Sequence, residues 1–495
     1  MKKKNVLFVV AHDISNRWGC LGDPHAVTPN IDALAAEESL VFEKHYCQWP
    51  LCGPSRANLI SGCRPMTTER YDNSEFWGPF RQKMGKDYHT LPQHFKENGY
   101  YSQCFWQVLH GFETDPESWS GPHWLPSHPE NVPGIPEDAW EEMRYWANPE
   151  SLDFIRDRIA ALQEQGRKIK GEFRRFRGPG TEAGNCSDAA YVDGQATDRI
   201  VAAIEAYDRK EPFFFAVGYE MTHTPWCAPK EYWELYDRDR LTIPGAADQP
   251  PGTPDWVMGD KEPAQYYWQH SYDKVWHPDY EEEKEMLHGH YATISFYDAQ
   301  VGRLVEALKK AGRYDDTIIV VTTDHGFTIG EHGYWGKHNM WEPSFHIPLL
   351  IHVPGYQPSR KSTSRLTEHV DVYPTLCDLC GLDKPDYLEG SSFAPLMGNP
   401  SKPWKKAVFA HRMPQYHDLK PDYKHGRTVR TDRYRYTFYE GENGAAVHEE
   451  LFDYSSDPTE TRNLALDPEY DGLRAELKEL LDAGWQACRI EQSDS

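Results

Sequence analysis

The sequence has no long apolar segment and no excess of positive charge. No run of about 18 apolar residues occurs in its 495 residues, so no transmembrane helix is predicted. Asp and Glu number 77 against 53 Lys and Arg. The resulting formal charge of −24 argues against nucleic acid and against an anionic membrane surface as partners. An anionic ligand would therefore need a local cationic pocket.

A cysteine pattern typical of a disulfide framework is also missing. The ten cysteines are scattered along the chain without a pairing pattern. Cys377 and Cys380 form a lone Cys-x-x-Cys in a predicted helix. Because no second pair lies nearby in the sequence, we interpret these two as core residues rather than zinc ligands.

The amino terminus lacks the features of a signal peptide. Three lysines precede an apolar run of residues 6–11 only, and no small-residue cleavage site follows. We interpret this segment as a first strand. The expected location is therefore cytoplasmic, or periplasmic or secreted if a leader was removed.

Three apolar segments without alternation are typical of strands buried on both faces: residues 5–11, 213–219 and 317–323. They alternate with segments of helical periodicity, among them residues 91–98, 291–310 and a helix around residue 198. This order predicts an α/β fold with a doubly wound, mostly parallel sheet flanked by helices.

Two domains are predicted from the changes in pattern along the chain. Residues 1–400 form the first, with irregular inserts at about 113–189 and 230–284. Residues 401–495 form a small α+β subdomain, because 428–439 and 450–454 read as antiparallel strands before a helix at 473–488. The basic run at 167–177 is interpreted as a solvated helix end rather than a substrate contact.

Polar residues follow all three predicted buried strands. His12 and Asp13 follow the first, His223 lies just past the second, and Asp324 and His325 follow the third. Open α/β sheets bind their ligands at the carboxyl ends of the strands. The sequence therefore predicts a site that contains these residues.

Residues 52–56 read Cys-Gly-Pro-Ser-Arg and suggest a nucleophile at the start of a helix. Pro54 suits a first helical turn, which places Cys52 at the helix N-terminus, in a surface cleft as we expect, where an anion is favoured. The guanidinium of Arg56, one turn later, can hold an anionic oxygen. The alternative is that Cys52 is a small buried core residue, the usual environment of a cysteine.

This segment resembles the signature of the type I, formylglycine-dependent sulfatases of the alkaline phosphatase superfamily, and residues 59–65 (LISGCRP) continue the likeness. Further similar segments are GCLGD at 19–23, TPNID at 28–32, RYDN at 70–73 and DHG…GEHG at 324–333. The resemblance covers nearly the whole chain. It implies an alkaline-phosphatase-like fold and a sulfuric ester hydrolase that removes sulfate from a small sulfated sugar or oligosaccharide.

The resemblance also implies site residues and cofactors. A formylglycine-generating enzyme would convert Cys52 to formylglycine, whose hydrate attacks sulfur. A divalent cation, Ca²⁺ with Mg²⁺ or Mn²⁺ as alternatives, would assist together with Arg56. The implied metal ligands are His12, Asp13, Cys52, Asp324 and His325. His223 and Lys337 are implied to contact the sulfate and protonate the departing oxygen, and His110 to assist breakdown of the covalent intermediate.

Two positions depart from the family pattern. His12 stands in place of an acid, and Gln107 replaces a substrate-binding lysine. We interpret the two as a matched change. The missing cation would be made up by protonated His12, by Arg81 or by the pair Arg174 and Arg175.

The same departures keep two other functions open. The first is a phosphonate monoester or phosphodiester hydrolase with the same nucleophile. The second is a catalytically silent binder of anionic sugars. Retention of the remaining site residues argues against the silent binder.

Overall fold

The computed structural model describes residues 3–85, 87–126, 143–166, 178–243, 245, 248–258, 278–357, 359–415 and 422–490. Within these ranges, no helix combines the length and the apolar character that crossing a bilayer requires.

An eight-stranded sheet forms the centre of the molecule, and its strands are β1 (Asn5–Ala11), β2 (Ser39–Tyr46), β3 (Tyr101–Trp106), β5 (Phe213–Gly218), β7 (Thr317–Thr323), β10 (His346–His352), β11 (Ser362–Thr363) and β12 (Thr367–Glu368). Their order is β11-β2-β10-β7-β1-β5-β3, with β12 also paired to β2. Only β10 runs antiparallel to its neighbours. Two small sheets pair β4 (Thr181–Gly184) with β6 (Trp226–Pro229) and β8 (Thr328–Ile329) with β9 (Trp335–Gly336).

Helices cover both faces of the large sheet. The described helices are α1 (Pro29–Ala36), α2 (Cys52–Ser61), α3 (Pro65–Thr68), α4 (Trp77–Met84), α5 (Leu91–Glu97), α6 (Pro149–Glu164), α7 (Val192–Glu205), α8 (Lys230–Trp233), α9 (Tyr280–Lys310), α10 (Glu342–Phe345), α11 (Val372–Cys380), α12 (Ala394–Gly398) and α13 (Asp471–Ala483). Alternate residues of β1 reach opposite sides: Leu7 and Val9 pack with α1, α7 and α9, whereas Val6 and Phe8 pack with α2, α4, α5 and α11. Burial on both faces explains why β1 is apolar without alternation.

The predicted doubly wound, mostly parallel sheet is confirmed, and the elements differ from the prediction in detail. The helix expected to begin at residue 291 begins at Tyr280, behind an Asp279 capping box. The helix expected around residue 198 begins at Val192. Helix α6 lies within 113–189, so that part of the insert is regular rather than irregular. Strands β2 and β10 were not predicted.

A separate four-stranded antiparallel sheet lies toward the carboxyl end. Its strands, in order, are β13 (Ala407–Arg412), β14 (His425–Thr431), β15 (Tyr434–Glu440) and β16 (Ala446–Asp453). Residues of this sheet, such as Val408 and Tyr439, share a core with Tyr46 and Ile347 of the large sheet. The domain division at residue 400 stays a prediction.

An ion pair joins Arg430 of β14 to Glu342 of α10, the helix that precedes β10. Arg430 Nε lies 3.1 Å from Glu342 Oε2, and the Tyr46 hydroxyl donates to Glu342 Oε1 at 2.8 Å. Burial by itself would raise the pKa of Glu342, but Arg430, His346 and Tyr46 lower it from 4.5 to about 2. A depressed carboxyl pKa stabilises the fold above pH 4.5, and this contribution is lost as the pH falls toward 2.

Glu342→Gln should therefore lower the free energy of unfolding near neutral pH, and the difference from wild type should shrink in acid. The shift corresponds to about 3 kcal/mol at most. Urea titrations between pH about 6 and about 3 would measure the difference. The exposed Glu306→Gln is the matched control and should show little difference at any pH. A pH-independent effect of Glu342→Gln would contradict the argument.

Candidate active site

Four neighbouring parallel strands present the candidate residues at one edge of the sheet. Strands β7, β1, β5 and β3 lie side by side, and Asp324, His12 and Gln107 directly follow β7, β1 and β3. Asp13 and Trp106 have φ of 54° and 61° at two of these strand ends. Positive φ in residues other than glycine is uncommon and clusters at functional sites.

Cys52 is the first residue of α2 and faces this edge. Its Sγ lies 3.1 Å from Lys337 Nζ and 3.2 Å from His325 Nε2. The side chain is only 2% exposed, so the expectation of a surface cleft was wrong. Cys52 is nevertheless no ordinary core cysteine, because its sulfur contacts an ammonium and an imidazole.

Gly53 allows Arg70 and Asn73 to close over the start of α2. The Gly53 amide donates to Asn73 Oδ1 at 2.8 Å, and a Cβ at this glycine would lie 2.8 Å from the Arg70 guanidinium. Arg70 is itself held by Glu113 through two hydrogen bonds of 3.0 and 2.6 Å. The sequence marked residues 70–73 only through the family resemblance.

Lys337 connects Cys52 to Asp13. Its Nζ donates to both carboxylate oxygens of Asp13 at 3.1 Å and lies equally close to the sulfur. Burial would lower the pKa of Lys337, but its neighbours Asp13, Cys52 and Asp324 raise it above its ordinary value. Lys337 is therefore an ammonium near neutral pH.

Arg56 is buried and its donors are committed to protein groups. Its Nε donates to Asp324 Oδ2 at 2.9 Å, and its Nη atoms donate to the carbonyls of Gln107 and Ala11. The sequence predicted that its guanidinium would hold an anionic ligand. The structure instead assigns it to Asp324 and two strand ends, because α2 packs against the sheet along this side chain.

His12 and Gln107, interpreted as a matched change, are in contact. A hydrogen bond joins His12 Nε2 and Gln107 Oε1. His12 Nδ1 lies 2.9 Å from Asp324 Oδ2. Burial would raise the pKa of Asp324, but His12, His325 and Arg56 hold it well below its usual range.

His223 sits on a loop that Asp193 anchors. Asp193, in the first turn of α7, accepts the backbone amides of Glu220 and Met221 at 2.8 Å each. His223 Nδ1 donates to the Thr224 carbonyl at 2.6 Å. Its ring meets the ring of His12 edge-on at 5.5 Å and stacks on Tyr145 at 6.3 Å. His223 therefore joins the cluster.

Arg144 attaches an insert to this site, which the sequence did not predict. It binds Glu220 through hydrogen bonds of 3.0 and 2.9 Å, and its guanidinium lies over the Trp106, Phe112 and Tyr145 rings. The surrounding segment lacks periodicity, so no sequence signal pointed to it. Because Glu220 balances the charge of Arg144, Arg144 is a weak substitute for the lysine that Gln107 replaces.

His110 lies close to the positive charges of the cluster. Burial lowers its pKa well below the ordinary value, and Arg70, His12, Arg56 and Lys337 lower it further. His110 is therefore a neutral imidazole.

Several other predicted residues fall outside the cluster. Arg81 pairs with Asp115 and Gln93 and is not the replacement cation. Arg174 and Arg175, with the whole basic run 167–177, lie outside the described residues. Cys377 belongs to a hydrophobic core and Cys380 packs against it. Among the described residues, the two cysteines belong to no group of three candidate metal ligands.

The cluster fits a divalent cation. Ligand atoms of Asp13, Cys52 and His325 lie within 4.8 Å of one another, and so do those of His12, Cys52 and Asp324. Two carboxylates and two imidazoles thus converge on the start of α2. Burial would lower the pKa of His325, but the neighbouring Asp324, Cys52 and Asp13 raise it above its ordinary value.

The family model described as "Sulfatase" matches residues 4–382. The chain belongs to the sulfatase family. It is a sulfuric ester hydrolase with the alkaline-phosphatase-like fold. A second model, "N-sulphoglucosamine sulphohydrolase, C-terminal", matches residues 330–486 of this sulfatase.

Similar proteins support this assignment over most of the chain. The human (Homo sapiens) iduronate 2-sulfatase is 28% identical, over 93% of this chain and 90% of its own. The choline-sulfatase of Rhizobium meliloti is 25% identical, over 94% and 83%.

Solved structures share the fold of this sulfatase. The phosphonate monoester hydrolase of Agrobacterium radiobacter superimposes with a TM-score of 0.72 at 22% identity, covering 97% of this chain and 95% of its own. A protein in complex with its substrate D-glucosamine-2-N,6-O-disulfate gives a TM-score of 0.71 at 20% identity, covering 98% of both chains.

Proposed function

We propose that this sulfatase removes sulfate from a sulfated carbohydrate, with formylglycine made from Cys52 as the nucleophile and a divalent cation bound by His12, Asp13, Asp324 and His325. The observation that carries the proposal is the position of Cys52 Sγ, 3.1 Å from Lys337 Nζ and 3.2 Å from His325 Nε2 at the start of α2. A formylglycine-generating enzyme is the partner required for maturation.

Support for a carbohydrate substrate comes from the relatives. Iduronate 2-sulfatase and the N-acetylglucosamine-6-O-sulfatase of Bacteroides thetaiotaomicron are named for sulfated sugars, and the latter is 23% identical over 97% of this chain. A small sulfated sugar or oligosaccharide is therefore the substrate class that we propose.

Hydrated formylglycine would supply an oxygen nucleophile toward sulfur, and the cation would polarise the sulfate oxygens. Lys337 contributes a fixed positive charge beside the nucleophilic atom and holds Asp13 in place. Arg56 acts through Asp324, which it orients. It is therefore a positioning residue.

His223 is the proton donor to the departing sugar oxygen. Because its Nδ1 proton is committed to the Thr224 carbonyl, proton exchange with a substrate uses Nε2. Neutral His110 can accept a proton in the later step that releases sulfate. Gln107 lies beside His12 and offers an amide to the sulfate without a charge.

His223→Ala should slow hydrolysis of a sugar sulfate by about 100- to 1,000-fold, because an alkoxide leaves poorly without a proton. An aryl sulfate with an acidic nitrophenol leaving group should lose less than about tenfold, since it needs little help. Steady-state rates on both esters measure the difference. Equal losses on the two substrates would contradict the role as acid.

A second candidate function is hydrolysis of phosphonate monoesters or phosphodiesters. It is favoured by the missing cation at Gln107 and by the fold shared with the phosphonate monoester hydrolase. The matured enzyme should be assayed in parallel on sulfated mono- and disaccharides and on a phosphate diester. Faster release of sulfate supports the first proposal, and faster diester cleavage supports the second. Binding without turnover of either ester would indicate the silent sugar binder.

A further inference from the structure

We propose that His12 and Gln107 act as a unit that changes the metal preference of the site. Gln107 fixes His12 so that its Nδ1 joins His325 Nε2, Asp13 and Asp324 as a ligand, and this set prefers a cation of the Co²⁺ or Zn²⁺ type over Ca²⁺. The inference rests on the proposed function for the existence of a metal there. The inference itself concerns two points: which cation the site prefers, and that Gln107 orients the metal ligand His12.

The contact with Gln107 determines where His12 carries its proton. His12 is 2% exposed, and its Nε2 is hydrogen-bonded to Gln107 Oε1. An amide oxygen only accepts, so Nε2 is the nitrogen that bears the hydrogen. Nδ1 is then the nitrogen that can offer a lone pair to a cation.

His12 Nδ1 faces a carboxylate oxygen of Asp324 without a hydrogen bond. Nδ1 lies 2.9 Å from Asp324 Oδ2, yet the direction is wrong for an N–H donor and Nδ1 has no hydrogen-bond partner. A cation bound by both atoms would give this buried Nδ1 the partner that it lacks.

His325 is arranged in the same way. Its Nδ1 donates to the Gly326 carbonyl at 2.8 Å, which makes Nε2 the nitrogen that can bind a cation. Nε2 lies 3.2 Å from Cys52 Sγ and 3.3 Å from Asp13 Oδ1. A metal-binding histidine typically donates its other N–H to a carbonyl or carboxylate, and both histidines do so here.

Two imidazole nitrogens and two carboxylates are a poor match to calcium. Ca²⁺ takes six to eight oxygen ligands, whereas imidazole suits Zn²⁺, Co²⁺, Ni²⁺ and Fe²⁺. The expectation of Ca²⁺ came from the family resemblance, and the family pattern has an acidic residue at the position of His12. The ligand set of this chain therefore departs from that expectation at two linked residues.

Cobalt tests the proposal directly, because bound paramagnetic Co²⁺ shifts the proton signals of its ligands far from the rest of the spectrum. Metal-free protein would be titrated with Co²⁺ and with Ca²⁺, and the Co²⁺ form examined by proton NMR in water. Two shifted, exchangeable imidazole N–H signals are expected, from His12 Nε2 and His325 Nδ1. Co²⁺ should bind more tightly than Ca²⁺.

Variants separate the two residues. His12→Asp should remove one signal and shift the preference toward Ca²⁺. Gln107→Met removes the acceptor at similar size, and should weaken Co²⁺ binding about 10- to 100-fold while changing Ca²⁺ binding little. Gln107→Glu keeps an acceptor and should retain the second signal. Gln103→Met, on the same strand but bonded to the Pro122 carbonyl, is the matched control and should bind as wild type does.

Tighter binding of Ca²⁺ than of Co²⁺, or a spectrum that His12→Asp leaves unchanged, would overturn the proposal. If His12→Asp fails to fold, Gln107→Met still decides, because unchanged Co²⁺ affinity contradicts the orienting role. The two proposals fail separately. Two imidazole signals without hydrolysis of any ester leave this inference standing and remove the proposed function. Hydrolysis supported by Ca²⁺, with no His12 signal in the Co²⁺ form, would keep the proposed function and remove this inference.

Discussion

Cys52→Ala is expected to abolish ester hydrolysis, with a loss on the order of 10⁴-fold or more, while the protein stays folded. The substitution removes the only atom from which the proposed nucleophile can be made. Stability should change by less than about 2 kcal/mol, because the side chain is small and its sulfur contacts polar groups, Lys337 and His325. Turnover of a sugar sulfate and the urea midpoint measure the two effects.

Cys47→Ala is the matched control for this experiment. Cys47 is equally buried, and it belongs to the core shared by the two sheets. Its substitution should leave the rate unchanged. The mass of the peptide that carries position 52 should also show that the wild-type thiol has been converted. Retention of more than a few per cent of activity in Cys52→Ala would rule out a nucleophile derived from this residue.

The large sheet could be predicted where strands are buried on both faces. β1 and β7 are short, buried at every position and rich in β-branched residues, and this combination favours a buried strand over a helix. β10 was missed because Pro348 stands in its middle, and proline argues against a central strand. The structure accommodates it at a register shift between Ile347 and Leu349, where the Pro348 carbonyl accepts from Thr322 Oγ1.

The sequence predicted which residues meet in the candidate site, but not what their side chains contact. Strand ends and the helix start explain why His12, Asp13, Cys52 and Asp324 meet, because topology alone brings them to one edge. Sequence could not show that Arg56 is bound to Asp324, since that depends on how closely α2 packs against the sheet. The sequence also could not show that Arg144 reaches the site, because its position depends on contacts with aromatic rings such as Trp106 and Tyr145.

Lys337 is the strongest cation that touches the nucleophile position. The donors of Arg56 are committed, Gln107 is neutral, and Arg144 and Arg70 are each paired with a glutamate. Lys337 Nζ alone among these groups contacts both Cys52 Sγ and a carboxylate, at 3.1 Å each. This ammonium is therefore the group that we expect to stabilise the negative charge that develops around position 52, where Cys52 and Lys337 are both buried.

Lys337→Met should lower kcat/KM on a sugar sulfate by about 1,000-fold, or about 4 kcal/mol, because methionine keeps the length of the side chain and removes its charge. Most of the loss should appear in kcat, since the charge is needed more in the transition state than in the bound substrate. Lys337→Arg should recover part of the rate. Lys309→Met, an exposed lysine paired with Glu37, is the control and should keep full activity. A loss below about tenfold for Lys337→Met would show that the cation or another side chain supplies this charge, and the role assigned to Lys337 would be wrong.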